Sequence, residues 1–536
     1  MYLCPKSGNG QTAVLAPDIL EQKIDRLMMA YTGTDRPGAV IGIVEDGRFV
    51  FKKGYGMANL KLRQPNRPEV AFKIASLSKQ FTAAAIVSLI QQRKLNASDD
   101  IRKYLPAFPV YDKVITINDL LYHTSGIRDY MVIMWLTGMS FENKFTNQDA
   151  LHLIYRQSKL HFPTGTRCVY SNSNYILLAE LLKVVTGKEL DEYCRTELFL
   201  PLGMQQTAFN GSIHPRKVTT ALSYYYGSGY RAFKNDNSVS GDGGIITTID
   251  DLLQWDNTFY DTGSLARQLI VTGQLHDGKP LTYGMGIMTG TYRGLQIQFH
   301  PGAFLGYRAE MLRFPQKKIS IICLGNTEGI NPEKLTRNIA DLYLFGQIEN
   351  KEQLSLAPEE ITAVVGRYEV ARNVFVDIRF EDNVLTGQVT GQPKQSLSFL
   401  ERNVFSIKGS NDTAVFSLPS NGKMQQLTVI QKQGRTIAKR PEIVNNPAMD
   451  KYTGRYFSKE QNAFYTFFIK KGQLYFRAGN STEPVKAEVL KNYNRLYFGY
   501  QNLEQATIDF EVAANGTISA FTLNSGRVSG LRFVKQ

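Results

Sequence analysis

The sequence predicts a multidomain chain: an α/β (α+β) domain with an antiparallel sheet flanked by helices, then two small antiparallel β-barrels. Three observations carry this. At 536 residues the chain exceeds what one hydrophobic core serves. Up to about Gly346, strand-like and helical patterns alternate; beyond it only short β-type runs and turns follow. Within that second part a pattern repeats: Val365-Gly366-Arg367-Tyr368 recurs as Thr453-Gly454-Arg455-Tyr456, and Phe416 with Asn421-Gly422-Lys423 recurs as Phe510 with Asn515-Gly516-Thr517. A duplicated unit of roughly 90 residues, each copy able to close a meander, follows.

In order, Ile19 to Tyr31 reads as a helix with Ile24, Leu27 and Met28 on one face. Val40–Val44, Asp46-Gly47 and Phe49–Phe51 give a hairpin signal, because Asp-Gly suits the turn that matches strand twist. Ser78 to Gln92 holds helix formers without Gly or Pro. Short helices are expected over Thr116–His123 and over Thr146–Gln157, with Thr146 as N-cap and Asp149 at N3. Further helices run from Tyr170-Ser171-Asn172 to Gly187, over Glu189–Leu198 and over Ile249–Trp255. Tyr283–Met288 and Leu295–Phe299 read as strands around a turn at 291–294, followed by strands Tyr307–Phe314 and Ile319–Leu324 and a closing helix, Glu333–Phe345.

Composition sets bounds. Hydrophobic content of 43% and charged content of 21% suit a globular protein. The net charge of +14 would favour anionic surfaces, yet no Lys/Arg run of five to eight residues occurs, so nucleic acid is not an expected partner. Cys4, Cys168, Cys194 and Cys323 are scattered without C-x-x-C, which indicates neither a zinc site nor a disulfide framework. No His-Glu-x-x-His motif is present, and neither metal nor cofactor is expected. No run of 18 apolar residues predicts a transmembrane helix. The start, Met1 to Lys6, lacks the apolar core of a secretory signal. Either the protein stays inside, or the sequence begins downstream of an export signal.

The chemistry concentrates in Ser76-x-x-Lys79 at the start of the Ser78–Gln92 helical pattern. Positions i and i+3 share a helix face, so both side chains point to one place. A serine hydroxyl needs a base to become a nucleophile, and a lysine serves if burial lowers its pKa. A chain this long shows roughly one or two such patterns by chance, so the partners matter. Tyr170-x-Asn172 and His300-x-Gly302 follow in order. His276-Asp277-Gly278 also fits His-x-Gly, but Asp-Gly reads as a turn without a preceding strand. His123 reads as a structural residue at a helix end, and Tyr170 taken alone would read as a packed aromatic. The barrels contain no His.

The ordered set resembles the penicillin-recognising serine hydrolases, the family of class C β-lactamases, D-alanyl-D-alanine carboxypeptidases, D-aminopeptidases and related esterases. Leu120–Gly126, Pro201-Leu202-Gly203-Met204, Gly243-Gly244 and Gly302 to Tyr307 resemble it too. The third motif departs from the usual Lys-Thr-Gly: His300-Pro301-Gly302 is similar to the D-aminopeptidases and esterase-like members. The resemblance implies a beta-lactamase-like catalytic domain over 18–346, after a disordered or leader segment 1–17. A linker at 347–360 and lipocalin-like barrels at 361–445 and 446–536 complete the expected plan. It implies Ser76 as nucleophile and Lys79 as base, alone or with a Tyr170 phenolate. The backbone N–H groups of Ser76 and Ala303 would form the oxyanion hole, and Asn172 would bond Lys79 and the substrate amide. His300 would be a titratable group where a fixed cation is usual, and Gly302 would leave room for substrate along the strand. The expected partner is a small-molecule or peptide substrate, possibly a cell-wall peptide. The expected location is periplasmic or extracytoplasmic, and no oligomeric state is indicated. The leading expectation is hydrolysis of small peptides, amides or esters with D-residues. An esterase or weak β-lactamase, or a penicillin- or wall-binding protein without turnover, are the alternatives.

Overall fold

The computed structural model describes residues 15–345 and 358–536, apart from 140–143, 211–218, 235–236 and short loop stretches beyond residue 371. Most of the expected leader (1–17) and linker (347–360) therefore lies outside the described residues. Where they are described, Pro17 already opens a helix, and Pro358–Val364 is helical rather than extended.

The N-terminal part is organised on a six-stranded antiparallel sheet. Its strands are β1 (Ala39–Glu45), β2 (Arg48–Tyr55), β3 (Met288–Tyr292), β4 (Leu295–Phe304), β5 (Tyr307–Phe314) and β6 (Ile319–Gly325), in the order β3-β4-β5-β6-β1-β2. β1 and β6 are apolar at nearly every position because both faces are covered. Ala39, Ile41 and Ile43 pack with Leu20, Ile24 and Met28 from the first helix, α1 (Pro17–Leu27), and its following turn. Val40 and Val44 face the opposite, helical layer. Each buried aliphatic side chain contributes about 1.5–3 kcal/mol. The β1–β2 turn holds Asp46 at φ 45° and Gly47 at φ 76°, the conformation Asp-Gly was read for.

The helical layer is centred on α2 (Lys79–Gln91) and α3 (Asn172–Thr186), which pack side by side. α3 stops at Gly187, φ 72°. Capping boxes at Thr116/Asp119 and Thr146/Asp149 fix the two short helices. A closing helix, α4 (Pro332–Phe345), covers the sheet beside α1.

One strand falls elsewhere than read. The hydrogen-bonded strand before β4 is Met288–Tyr292, and Tyr283–Ile287 is a connection. Gly284 and Gly286 explain this. A Cβ on Gly286 (φ 75°) would sit 2.8 Å from the Lys79 and Gln80 backbone, so this segment threads tightly past the start of α2. The helix Tyr130–Leu136, capped by Asp129, went unread in the sequence.

In the C-terminal part, eight strands between Gly366 and Lys439 form a closed barrel. The second copy, Gly454–Lys535, is a curled nine-stranded sheet rather than a ladder closed strand to strand. Its two edge strands, Val485–Lys486 and Glu488–Leu490, are separated by Ala487 alone, so one bent stretch pairs with both ends of the sheet. The repeat is visible in side chains. Tyr368 Oη donates to Val364 O at 2.9 Å, and Tyr456 Oη to Tyr452 O at 3.0 Å. Each tyrosine meets its Phe edge-on: Tyr368 on Phe416 and Tyr456 on Phe510.

The second copy shares a core with the N-terminal helical layer, whereas the barrel keeps its own. Contact with those helices needs glycine on both sides. A Cβ on Gly138 would meet Ala478 O at 2.2 Å, and one on Gly479 would meet Thr137 O at 2.1 Å.

Candidate active site

Ser76 and Lys79 lie where the main sheet meets the helical layer. Residues 75–78 form a 3-10 turn running into α2. Ala75 is held at φ 47°, a conformation costly for a residue with a Cβ. Gly302 on β4 faces this turn. A Cβ there would stand 2.2 Å from Ile74 O. The space at Gly302 is therefore taken by the nucleophile turn itself, not left for substrate, and glycine lets β4 approach Ser76.

Lys79 Nζ lies 3.2 Å from Ser76 Oγ and donates to Asn172 Oδ1 at 2.9 Å and to Asp242 O at 2.6 Å. It is fully buried, and desolvation, aided by the Arg527 cation and opposed by the Asp242 and Asp129 carboxylates, brings its pKa down to about 8. A neutral fraction on the order of a tenth is thus present at pH 7, far above that of an ordinary lysine.

Tyr170 stacks under that ammonium, its ring centre 4.7 Å from Nζ. Its buried Oη lies near Ser76 but meets no partner at hydrogen-bond geometry. Burial dominates and pushes the phenol well above its ordinary value of 10. The expected phenolate is disfavoured here, and Lys79 is the better base.

Asn172 uses its amide oxygen for Lys79. Its Nδ2 and backbone N both donate to Asp129 Oδ2, at 2.9 and 3.0 Å. One proton of the amide read as substrate-facing is thus engaged by Asp129. Asp129 Oδ1 accepts from Met131 N and Val132 N. Arg527 Nη1 completes its shell at 2.8 Å. Arg527 comes from the turn between the last two strands of the second β copy (Ile518–Ser525 and Val528–Lys535), 398 residues away in sequence.

His300 is 1% exposed. Its ring lies behind Tyr170, 6.0 Å between centres. Nδ1–H donates to Pro301 O at 2.6 Å, and Tyr283 Oη approaches Nε2 at 3.5 Å. Tyr283 in turn takes a 3.2 Å contact from His123 Nε2, whose Nδ1 accepts from Ser171 N. Desolvation and the nearby Lys79 cation lower the His300 pKa to about 3, so the ring is neutral at working pH. His123 is likewise buried and held neutral. His276 instead contacts Asp119 at 3.2 Å, beside the Asp277-Gly278 turn.

Ser76 opens onto a cleft of about 490 Å³, mouth included, walled by Lys73, Tyr130, Asp242, Ala303 and Phe304 among others. Asp242 accepts from Tyr130 Oη at 2.9 Å. The five sequence motif residues Ser76, Lys79, Tyr170, Asn172 and Ala303 thus converge, with Gly302 behind Ser76 and His300 behind Tyr170. Asp129, Asp242, Tyr283, Lys73 and Arg527 belong to the same site, and sequence reading missed all five.

A beta-lactamase family model matches residues 20–344, more than half of the chain. The chain belongs to the beta-lactamase family. This beta-lactamase-family chain is 31% identical over 320 residues to a D-aminopeptidase of Cereibacter sphaeroides, spanning 58% of this chain and 60% of that protein. It is 30% identical over 317 residues to a D-aminopeptidase of Brucella anthropi, spanning 58% and 59%. The match thus spans about three fifths of the length of these relatives. In fold it is similar to the octameric penicillin-binding protein homologue from Pyrococcus abyssi, with a TM-score of 0.57, 23% identity, and coverage of 79% of this chain and 100% of that one.

Proposed function

We propose that the protein is a serine hydrolase acting through an acyl-enzyme on Ser76, with short peptides or amides carrying D-residues as its substrate class. The observation that carries this is the Lys79 amine, 3.2 Å from Ser76 Oγ, buried and brought down to a pKa of about 8. Neutral Lys79 takes the Ser76 proton as Oγ attacks the carbonyl. The oxyanion is received by the Ser76 and Ala303 backbone N–H groups at the cleft wall. Protonated Lys79 returns its proton to the leaving amine, and water then attacks the acyl-enzyme by the same route. Asn172, itself held by Asp129, keeps the amine aimed. The substrate class rests on the likeness to D-aminopeptidases and on a neutral His300 in place of a fixed cation.

The test is a panel of D-alanyl amides, p-nitrophenyl esters and a chromogenic cephalosporin, with Ser76→Ala as control and fluorophosphonate labelling mapped by mass spectrometry. Turnover of D-alanyl amides with the label on Ser76 is expected. A label on another serine, undiminished in Ser76→Ala, overturns the nucleophile. Acylation by a penicillin without turnover of any substrate would make the protein a binder instead.

A further inference from the structure

We propose that Lys73 is a specificity-determining residue that receives an anionic group of the substrate, so that this site prefers peptides or amides bearing a free carboxylate. The inference rests on the serine-hydrolase reading of the cleft and adds the charge of its substrate.

Between Ala71 and Gln80, every residue is buried except two, Lys73 and Ser76, and both line the same cleft. The spacing follows from the backbone. Phe72 and Lys73 form a two-residue strand paired with Thr247 and Ile246, so their side chains leave on opposite faces. Phe72 enters the core, fully buried. Lys73 takes the other direction, three residues ahead of the nucleophile.

The other charges of the site are already answered. Lys79 has Asn172 and the Asp242 carbonyl. Arg527 has Asp129. The Asp129 carboxylate takes three backbone N–H groups, the Asn172 amide and Arg527, and Asp242 takes Tyr130 Oη. Among the described residues Asp242 is the one carboxylate on the wall of this cleft; its Oδ2 already takes Tyr130 Oη, and burial holds its pKa above the ordinary carboxylate value. Lys73 is the reverse case: among the described residues no hydrogen bond or ion pair reaches it, although it is largely withdrawn from water, which brings its pKa down to about 8. A half-desolvated cation with no counter-ion on a cleft wall is relieved by an anionic ligand. His300, buried behind Tyr170 and neutral, does not compete for that role.

The test uses the full chain and matched substrate pairs with the same scissile bond, D-alanyl-glycine against D-alanyl-glycinamide and a succinyl ester against its methyl-capped form. A charge-assisted hydrogen bond corresponds to about a ten- to hundred-fold preference in kcat/KM for the carboxylate member of at least one pair, expressed mainly in KM. Lys73→Met should bring that ratio close to one, and Lys73→Arg should keep most of it. Wild-type turnover without a carboxylate preference in either pair overturns the inference and leaves the hydrolase reading standing. A preference that persists in Lys73→Met overturns it as well. If Lys73→Met does not fold, the Lys73→Arg ratio and inhibition of Ser76 labelling by free acetyl-glycine against its amide decide: equal protection by both refutes the role. Absence of any turnover and of Ser76 labelling in wild type refutes the hydrolase reading itself, and this inference with it.

Discussion

Lys79→Met is the most exacting perturbation, because its effect on stability is fixed by the feature proposed for catalysis. In the unfolded chain Lys79 has an ordinary pKa of 10.5, and in the folded protein about 8. Between these values the unfolded state binds more protons, so wild-type stability rises with pH across about 8 to 10.5. At 1.36 kcal/mol per pH unit, the rise is about 3 kcal/mol, absent from Lys79→Met. At pH 7 the variant escapes the cost of a buried ammonium, but leaves Asn172 Oδ1 and Asp242 O without their donor, each costing about 1–3 kcal/mol. The two effects largely cancel there, so the variant, though inactive, should be about as stable as wild type at pH 7 and about 3 kcal/mol less stable near pH 10.5. Guanidinium denaturation read by tryptophan fluorescence measures this in the right domain, since the chain has two tryptophans, Trp135 and Trp255, both within the catalytic part. Tyrosine ionisation is common to both proteins and cancels in the difference. A stability difference that stays flat from pH 7 to 10.5 would show that Lys79 is not held at a lowered pKa, and would remove the physical basis for its role as base.

Activity should follow the same group: kcat/KM rises with pH through a midpoint near 8 and levels off above it. Arg527→Met removes a cation that helps lower the Lys79 pKa, so the rising limb should move to higher pH, with stability lower by about 1.5–3 kcal/mol. Arg527→Lys should hold the limb in place, and a limb unmoved in Arg527→Met would show that the two charges are not coupled. Lys79→Ala should slow the reaction by about 10² or more, whereas Tyr170→Phe, which removes a hydroxyl held well above its ordinary pKa, should cost far less; equal losses in the two variants would mean that the phenol shares the proton transfer. His300, neutral above about pH 3, should contribute no step to the pH–rate profile between 5 and 8, so His300→Gln should keep the profile's shape. A step near 6.5 that vanishes in that variant would contradict the buried, neutral ring. His300→Lys would bury a cation beside Lys79 and should lower stability by about 3 kcal/mol or more, read in the same denaturation assay.

What could be read from sequence was what is local. Ser76 and Lys79 share one helical turn, Asp46-Gly47 has a turn-specific backbone, and the Thr146 cap with Asp149 is a short local pattern. The order of the main sheet's last strands and the duplication were legible because alternation and repeated Gly-Arg-Tyr survive in any context. The connection at 283–287 misled because its apolar residues mimic a strand, while the cue against it, glycine at 284 and 286, depends on how near Leu269 and the start of α2 lie. Asp129, Asp242 and Arg527 carry no local signature. Asp129 precedes a helix that went unread, Asp242 is one residue of a Gly-rich loop, and Gly526-Arg527 looks like a plain turn. Their meaning comes from contacts spanning 43, 163 and 398 residues, which no periodicity encodes.

The two β copies share a tyrosine and phenylalanine pair but stand in different relations to the site. The barrel keeps a core of its own, led by Tyr368, Phe405 and Phe416. The second copy spends part of its apolar surface on the catalytic helices. Tyr465, stacked on Phe476, also donates to Leu136 O at 2.5 Å. Around that contact Arg128 reaches Glu460 at 2.6 Å, with no exposed side-chain surface on the arginine, and Arg156 donates to the carbonyls of Lys459 and Glu460. A buried ion pair adds little net stability after desolvation, but losing one partner is costly, so these pairs fix one docking geometry rather than simply holding the parts together. The Asp129 backbone N–H donates to Arg527 O at 3.3 Å while its carboxylate takes the Arg527 guanidinium, so the docked turn is tied at both backbone and side chain. The position of Asn172, and through it the aim of Lys79, therefore depends on how the last hairpin of the chain is seated.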